Sequence, residues 1–258
     1  MTKMEVVRDI FQKIKLELKD PYSFTVDSLT TELRVIEPGD LIHYQSTLTS
    51  EQPVYEDFVN SIENNDIVWD IGANLGIYGL LATETGCDVS FFEPHPESVE
   101  RIFQNIAHNE YDATVYEAAL SNESGTVDFV TGLQWSGAGV NAINSGNLAE
   151  NYDKRYDNSK IITVDTQRAD AIRDNGATPP TVAKIDVEGA EMDVLLGGPS
   201  VFDPSTCRLI YCEVHSQVTE YGYSMEDVRT ELAERGYSLE MLGEEEGNWN
   251  LKATADQE

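Results

Sequence analysis

The chain has 258 residues, of which 40% are hydrophobic, enough for one large α/β domain with an N-terminal extension. Its 47 acidic and 17 basic residues give a formal net charge of −30, which repels phosphate backbones, so we expect no nucleic-acid partner. The sequence contains neither a run of 18 apolar residues nor a signal-peptide pattern, so we expect no transmembrane segment and a cytoplasmic location.

The negative charge is scattered along the chain rather than gathered in one tail. Such a surface suits a halophilic protein, because salt screens its self-repulsion; an ordinary acidic protein is the alternative. Three cysteines, Cys87, Cys207 and Cys212, lack the spacing of a zinc site, so we expect reduced and mostly buried thiols.

Residues 1–65 are predicted to form an N-terminal helix and a small cap over one side of a ligand pocket. Apolar residues recur at helical spacing over residues 3–19. This helix could lie on a membrane surface, but its acids offset its lysines and favour packing on the protein itself or in a homodimer. Residues 22–48 contain β-like pieces, at 24–26 and 33–36, with a turn at Pro38-Gly39, and a helix follows from about 52 to 62.

The stretch DIVWDIGANLG, residues 66–76, predicts a buried strand, a glycine turn and a helix. Asp70 ends the strand, and we expect its carboxylate to point into the mouth of the pocket. A dinucleotide fingerprint would need glycine where Asn74 and Ile77 stand, which disfavours an oxidoreductase. The turn residues that let bare backbone approach a ligand are Gly72, Asn74 and Gly76.

A second acid, Glu93, closes the next predicted strand about twenty residues later, where a βαβ unit delivers a carboxylate to ribose hydroxyls. A nucleoside that bears an amino acid and lacks phosphates fits both acids. S-adenosylmethionine (SAM) is the common ligand of this kind, and we predict it as the cofactor. After a helix over residues 97–109 and a strand over 114–117, Glu117 or the adjacent backbone is expected to meet the adenine edge.

Residues 122–160 form a polar, turn-rich insertion with a strand predicted at 126–130. Trp135 and Asn141 lie in its glycine-rich part, which we predict to cover the substrate, because an aromatic face suits a sugar ring. A surface loop without a role in binding is the alternative. A strand at 161–164 and a helix at 165–173 are predicted next.

The stretch VAKIDVEGAE, residues 182–191, carries the densest group of acids. Read as a strand, it places Lys184, Asp186 and Glu188 on one face, and Glu191 falls in the first turn of the next helix. Ligands of open α/β sheets bind at such strand ends, although a structural network with Lys184 is the alternative. A buried strand over 208–214 then presents Glu213 and His215, and a helix at 225–234 precedes strands at 237–242 and 248–253.

Together these stretches resemble the FkbM family of SAM-dependent methyltransferases over roughly residues 66–253. The motifs are DIGANLG (70–76), FFEPHPE (91–97), AALS (118–121), TVDT (163–166), KIDVEGAE (184–191) and EVH (213–215). TVDT departs from the family, which tends to have Leu before the Asp. The resemblance implies a class I methyltransferase domain over 66–258: a seven-stranded, mostly parallel sheet with helices on both faces and a C-terminal antiparallel hairpin.

The resemblance also implies O-methylation of a sugar or another hydroxylated small molecule, such as a surface-glycan precursor, with a uronic acid carboxylate as a variant acceptor. The cofactor residues would be Asp70, Gly72, Asn74, Gly76, Glu93, Glu117 and Ala118. We predict His215 as the general base, oriented by Asp186 and Glu188, with substrate contacts from Trp135, Asn141 and Glu213. We assign no metal; a divalent ion bridged by Asp186 and Glu213 is the weaker option. A non-catalytic SAM-binding protein is the competing function.

Overall fold

The computed structural model describes residues 20–131, 141–144, 160–245 and 247–256. The strands in these ranges are β1 (Tyr22–Val26), β2 (Leu29–Leu33), β3 (Ile67–Ile71), β4 (Asp88–Phe92), β5 (Thr114–Tyr116), β6 (Ala119–Leu120), β7 (Gly125–Thr131), β8 (Asn141–Ile143), β9 (Lys160–Gln167), β10 (Val182–Ile185), β11 (Leu209–Val214), β12 (Tyr237–Glu245) and β13 (Asn248–Ala255). The helices are α1 (Pro38–Ser50), α2 (Gln52–Ser61), α3 (Ile77–Glu84), α4 (Pro96–Asn109), α5 (Ala169–Asp174), α6 (Glu191–Gly197) and α7 (Met225–Glu234), with a 3₁₀ helix at Ser216–Tyr221.

The centre of the fold is a seven-stranded sheet in the order β12–β13–β11–β10–β3–β4–β5. Strands β3, β4, β5, β10 and β11 pair in parallel, whereas β13 pairs antiparallel with both β11 and β12. From β3 the chain builds the sheet outward through β4, and it later returns to β10 on the other side of β3. The carboxyl ends of β3 and β10 therefore form the switch point at which ligands of open α/β sheets bind. This topology confirms the predicted fold.

The core lies on both faces of this sheet, because successive residues of a covered strand point to opposite sides. In β3, Val68 belongs to one apolar cluster and Trp69 to the other. The first cluster includes Phe58 of α2 and Leu80 of α3, and the second includes Val194 of α6. Helices therefore cover both faces, as the resemblance implied. The three cysteines are free and buried, as predicted.

The insertion contributes to a second, four-stranded sheet in the order β6–β9–β7–β8. Strand β7 pairs antiparallel with β9 over its whole length and with β8 at Phe129 and Ile143. Strand β6 pairs in parallel with the end of β9. Leu120 and Phe129 of this second sheet line one cavity with Gly72, which directly follows β3, so the second sheet stands beside the switch point.

Three local predictions were wrong. Residues 38–50 form helix α1, and the carboxylate of Asp40 accepts the backbone N–H groups of Ile36 and Glu37 just before it. Strand β9 runs to Gln167, because its end pairs with β6, so the helix predicted from 165 begins only at Ala169. Strand β2 occupies 29–33 rather than 33–36. The helix predicted over residues 3–19 lies outside the described residues.

Within the part of the chain that the structure describes, no helix is long and apolar enough to span a membrane.

Candidate active site

The loop after β3 needs glycine at position 72. Gly72 has a φ of +75°, and a Cβ atom there would lie 1.8 Å from the carbonyl oxygen of Asp186. Its N–H donates to the carbonyl oxygen of Phe92 at 2.9 Å, which ties the loop to β4. Asn74 also has a positive φ, of +51°. The turn thus joins the carboxyl ends of three neighbouring strands, β4, β3 and β10.

Glu93 follows β4 directly and is fixed by two backbone hydrogen bonds. The N–H groups of Asn74 and His95 donate to its Oε2 and Oε1, each at 2.8 Å. The side chain is 5% exposed. Burial raises the pKa of Glu93 to about 7, even though both hydrogen bonds lower it. Its carboxyl group therefore changes charge near neutral pH.

A cavity with about 640 Å³ of empty space lies beside Glu93 and opens to solvent. Its apolar walls come from both sheets, with Phe92, Leu120, Phe129 and Ile143 among them. Apolar walls with a few convergent polar groups are typical of a small-molecule site. The predicted site residues that border this main cavity are Gly72, Asn74, Glu93, Asn141, Asp186 and Glu188.

The sequence predicted that Asp70 would point into the mouth of this cavity, and that prediction was wrong. Asp70 is 2% exposed, and its Oδ2 accepts a hydrogen bond from the backbone N–H of Gly79 in α3 at 2.8 Å. Burial raises the pKa of Asp70 to about 7. The carboxylate is turned inward because it accepts an N–H group from the first turn of the helix, which needs such a partner.

Asp70 instead borders a second cavity, with about 370 Å³ of empty space, between the glycine turn and the helices α1 and α2. His43 of α1, Tyr55 of α2 and Glu51, which connects the two helices, contribute to its wall. Gly72, Asn74 and Asp186 border both cavities, so the two lie on either side of the same turn.

Two basic side chains in the second cavity carry different charges. Burial lowers the pKa of His43 to about 4, so its imidazole is neutral at pH 7. Lys184 is 1% exposed, and its Nζ lies 3.2 Å from Oδ2 of Asp186. Burial alone would lower the pKa of Lys184, but nearby carboxylates, Asp186 first among them, outweigh it and hold the pKa above its ordinary value. Lys184 is therefore a buried cation.

His215 lies directly after β11 among four carboxylates. It is 3% exposed, and its Nδ1 hydrogen-bonds Oε1 of Glu191 at 2.8 Å. Its Nε2 lies 3.7 Å from Asp186 and 3.6 Å from both Glu188 and Glu213. Burial would lower the pKa of His215, but the carboxylates, Glu188 and Glu191 foremost, raise it well above 6.5. The imidazole is therefore protonated at neutral pH, a state that cannot accept a proton.

The acids of the KIDVEGAE stretch come together by a route other than strand alternation. Strand β10 ends at Ile185, so Asp186 and Glu188 lie in the following loop. Glu188 has a φ of +54° and Gly189 one of +108°, which turns the loop back toward β11. A Cβ at Gly189 would lie 2.8 Å from the ring of Tyr221. The prediction that one strand face presents these acids was wrong, although the structure does bring Asp186, Glu188 and His215 together.

Comparison with known proteins identifies the family. Residues 70–239 match the methyltransferase FkbM domain. The matched range includes the glycine turn that borders both cavities and the loop of the KIDVEGAE stretch. The chain belongs to the FkbM methyltransferase family. Its methyl donor is SAM, as the sequence predicted.

Two curated relatives align with most of this FkbM methyltransferase. The hexuronic acid methyltransferase AglP of Haloferax volcanii is 26% identical over 195 residues, which cover 75% of this chain and 72% of the relative. The 2-O-methyltransferase NoeI of Sinorhizobium fredii is 28% identical over 204 residues, covering 71% and 82%. Among solved structures, the magnesium protoporphyrin IX methyltransferase ChlM of Synechocystis PCC 6803 with bound SAM has a TM-score of 0.47 and 12% identity, with 99% and 98% of the chains covered.

Some predicted residues of the FkbM methyltransferase stay predictions. Glu117 is exposed, and Ala119 and Leu120 border the main cavity where Glu117 and Ala118 were expected. Gly76, with a φ of +83°, directly precedes α3, and a Cβ atom there would lie 3.2 Å from the ring of Phe91. Trp135 lies outside the described residues.

Sequence reasoning missed His43, which stands on a helix that was read as β-like pieces. A signal was present. Pro38 at the start of α1 and Asp40 two residues later fit the beginning of a helix as well as they fit a turn. With α1 recognised, the cap over the pocket would have included a histidine.

Proposed function

We propose that this methyltransferase transfers the methyl group of SAM to a hydroxyl group of a hexuronic acid or another sugar. The main support is that one cavity runs from the Glu93 carboxylate to the carboxylates of Asp186 and Glu188. A nucleoside cofactor and a polar acceptor could meet there. The printed names of AglP and NoeI point to a hexuronic acid and to a 2-O position, which fits such an acceptor.

In this proposal Glu93 accepts hydrogen bonds from the ribose hydroxyls of SAM. Its oxygens are held in place by the N–H groups of Asn74 and His95, so the group needs no rearrangement to bind. Adenine would pack on the apolar wall that includes Phe92 and Leu120. The methionine end would lie toward the second cavity, where the buried Asp70 carboxyl group complements a cation.

SAM supplies an activated methyl group, and the protein has to align the acceptor and remove its proton. As the bond from the acceptor oxygen to carbon forms, the bond from carbon to sulfur breaks and the hydroxyl proton leaves. We assign this proton to His43, because its imidazole is neutral, it borders the same cavity as Asp186, and the Asp186 carboxylate, which raises the pKa of His43, would stabilise the imidazolium that forms. The protonated state of His215 argues against the base role predicted for it.

We further propose that residues 1–65 act as a cap on the methyltransferase domain of residues 66–258. Helices α1 and α2 line one side of the second cavity, so they would shield the methionine end of the cofactor from water. The predicted homodimer through residues 3–19 stays a prediction.

The proposal is tested by incubating the purified protein in high KCl with labelled SAM and a matched pair of acceptors, a glucuronide and the corresponding glucoside. We expect one added methyl group on the glucuronide by mass spectrometry, with release of S-adenosylhomocysteine. Mild alkali then separates the two acceptor atoms, because it cleaves a methyl ester on the carboxylate and leaves a methyl ether intact. Tight binding of SAM with no transfer to any sugar would favour the non-catalytic SAM-binding protein.

A further inference from the structure

The carboxylates around His215 pose an electrostatic problem for the proposed acceptor. Asp186 and Glu188 border the main cavity, and Glu213 lies next to them. A hexuronate that entered this cavity would bring another negative charge into an acidic site. Lys184 and His215 are each held by these carboxylates, so a further positive charge between the site and the acceptor would favour binding.

We propose that Asp186, Glu188 and His215 bind a divalent cation, Mg²⁺ or Mn²⁺, which in turn binds the oxygens of the acceptor. This inference rests on the proposed function for the role of the ion, but the site itself stands on the geometry of these side chains. Each offers one ligand atom, and the three atoms lie within 4.8 Å of one another. Glu213 is a fourth donor within reach, since its Oε1 lies 3.6 Å from Nε2 of His215.

The burial of His215 and the position of its Nε2 atom distinguish this cluster from a surface patch of acids. The side chain is 3% exposed, yet Nε2 lies 3.6–3.7 Å from the carboxylate oxygens around it, beyond hydrogen-bond distance. In octahedral coordination each ligand atom lies about 2.1 Å from the ion, and neighbouring ligand atoms lie roughly 3 Å from each other. A small movement of flexible carboxylates inward would therefore complete such a shell.

The other ring nitrogen of His215 is already committed to Glu191. Oε1 of Glu191 lies 2.8 Å from Nδ1 and also accepts the N–H of Gly189 at 2.9 Å, and Glu191 is fully buried. A carboxylate on Nδ1 directs Nε2 outward, which is how metal-binding histidines are usually held. The same contact fixes the loop that carries Glu188.

The donor set selects the kind of ion. The carboxylates suit Mg²⁺ or Mn²⁺, and no thiolate is present to favour a softer ion. His215 is protonated when no ion is bound, so the incoming ion has to displace the proton from Nε2, because a metal-binding histidine is neutral. The side chains of Asp186 and Glu188 are 31% and 26% exposed, and both border the main cavity. An ion bound by them would therefore have open coordination positions that face this cavity. A cation there would attract a carboxylate or a pair of hydroxyls and stabilise the alkoxide that develops during transfer.

Mn²⁺ binding, measured by electron paramagnetic resonance of the free ion, tests the site without any need for activity. The titration is done in high KCl, because the exposed acids of a chain with net charge −30 would otherwise bind Mn²⁺ weakly everywhere. We expect one Mn²⁺ per chain, displaced by Mg²⁺. Glu188→Gln should weaken binding by more than about 10-fold, and Glu191→Gln, which acts through His215, by about 10- to 100-fold.

The matched control is Glu226→Gln, an exposed acid paired with Arg229 on α7, which should bind Mn²⁺ as the wild type does. Calorimetry with SAM checks that each variant is folded. A wild type without saturable Mn²⁺ binding, or equal binding by Glu188→Gln, would overturn the site. If SAM binds and sugars are methylated without Mn²⁺ or Mg²⁺, the cation proposal fails and the function stands. One bound Mn²⁺ with no transfer to any sugar supports the site and overturns the function.

Discussion

Replacing Glu93 by Gln tests the proposed cofactor contact at its most constrained point. Both carboxylate oxygens of Glu93 accept a backbone N–H, whereas Gln offers one oxygen and turns its NH₂ group toward the other N–H. One buried donor is then left without an acceptor, which costs about 1–3 kcal/mol of unfolding free energy. A ribose hydroxyl would also lose a charged acceptor, worth about 1.5–3 kcal/mol, so the Kd for SAM should rise about 10- to 150-fold.

The pH dependence gives the same experiment a second readout. The pKa of Glu93 is about 7, above the 4.5 of an ordinary glutamate, so the carboxylate forms only as the pH rises through 7. Wild-type affinity for SAM should therefore increase from pH 6 to pH 8.5, and Glu93→Gln should lose most of that increase.

Isothermal calorimetry at these pH values, with urea unfolding alongside, measures both effects. The exposed Glu100, which accepts a hydrogen bond from Gln104 on α4, provides the control Glu100→Gln. If folded Glu93→Gln binds SAM as tightly as the wild type at pH 8.5, the ribose does not contact this residue and the placement of the cofactor is refuted.

Three further predictions follow from the same geometry. Gly72→Ala should lower the free energy of unfolding by about 2–5 kcal/mol, since a left-handed φ costs an alanine about 1–2 kcal/mol and the overlap with the Asp186 carbonyl forces backbone shifts; urea unfolding measures this, and an unchanged midpoint would contradict it. His43→Gln should reduce kcat about 100-fold or more without changing the Kd for SAM if the acceptor is a hydroxyl, while His108→Gln, which alters a residue paired with Glu32, should leave kcat unchanged; equal rates in the two variants would remove His43 from the base role. The melting temperature should rise with KCl, because the screening length falls from about 10 Å at 0.1 M to about 3 Å at 1 M, and a salt-independent value would contradict the halophilic interpretation.

The strands and the glycine turn were predictable because their signals are local. An apolar run, an acid and two glycines allow few conformations other than a buried strand and a tight turn. The positions of Glu93 and Asp186 followed from the rule that parallel strands end at one edge of a sheet. Those residues now border the main cavity.

The features that sequence reasoning missed depend on contacts between distant segments. The inward orientation of Asp70 is set by the N–H of Gly79, and the extension of β9 is set by its pairing with β6. Neither partner can be recognised from the residues of the element itself. The charge of His215 is of the same kind, because it depends on carboxylates that arrive from the loop after β10 and from α6.

The position of Asp186 between two cations explains how its carboxylate remains ionised in so acidic a site. Burial would raise the pKa of Asp186, but Lys184 on one side and His215 on the other hold it below its ordinary value. Glu188 lacks the lysine contact, and burial raises its pKa to about 7. The carboxylates of Asp186, Glu188, Glu191 and Glu213 surround the single imidazole of His215. An acceptor that carries negative charge would add to this excess of carboxylates, and a divalent ion that displaces the Nε2 proton of His215 would offset it.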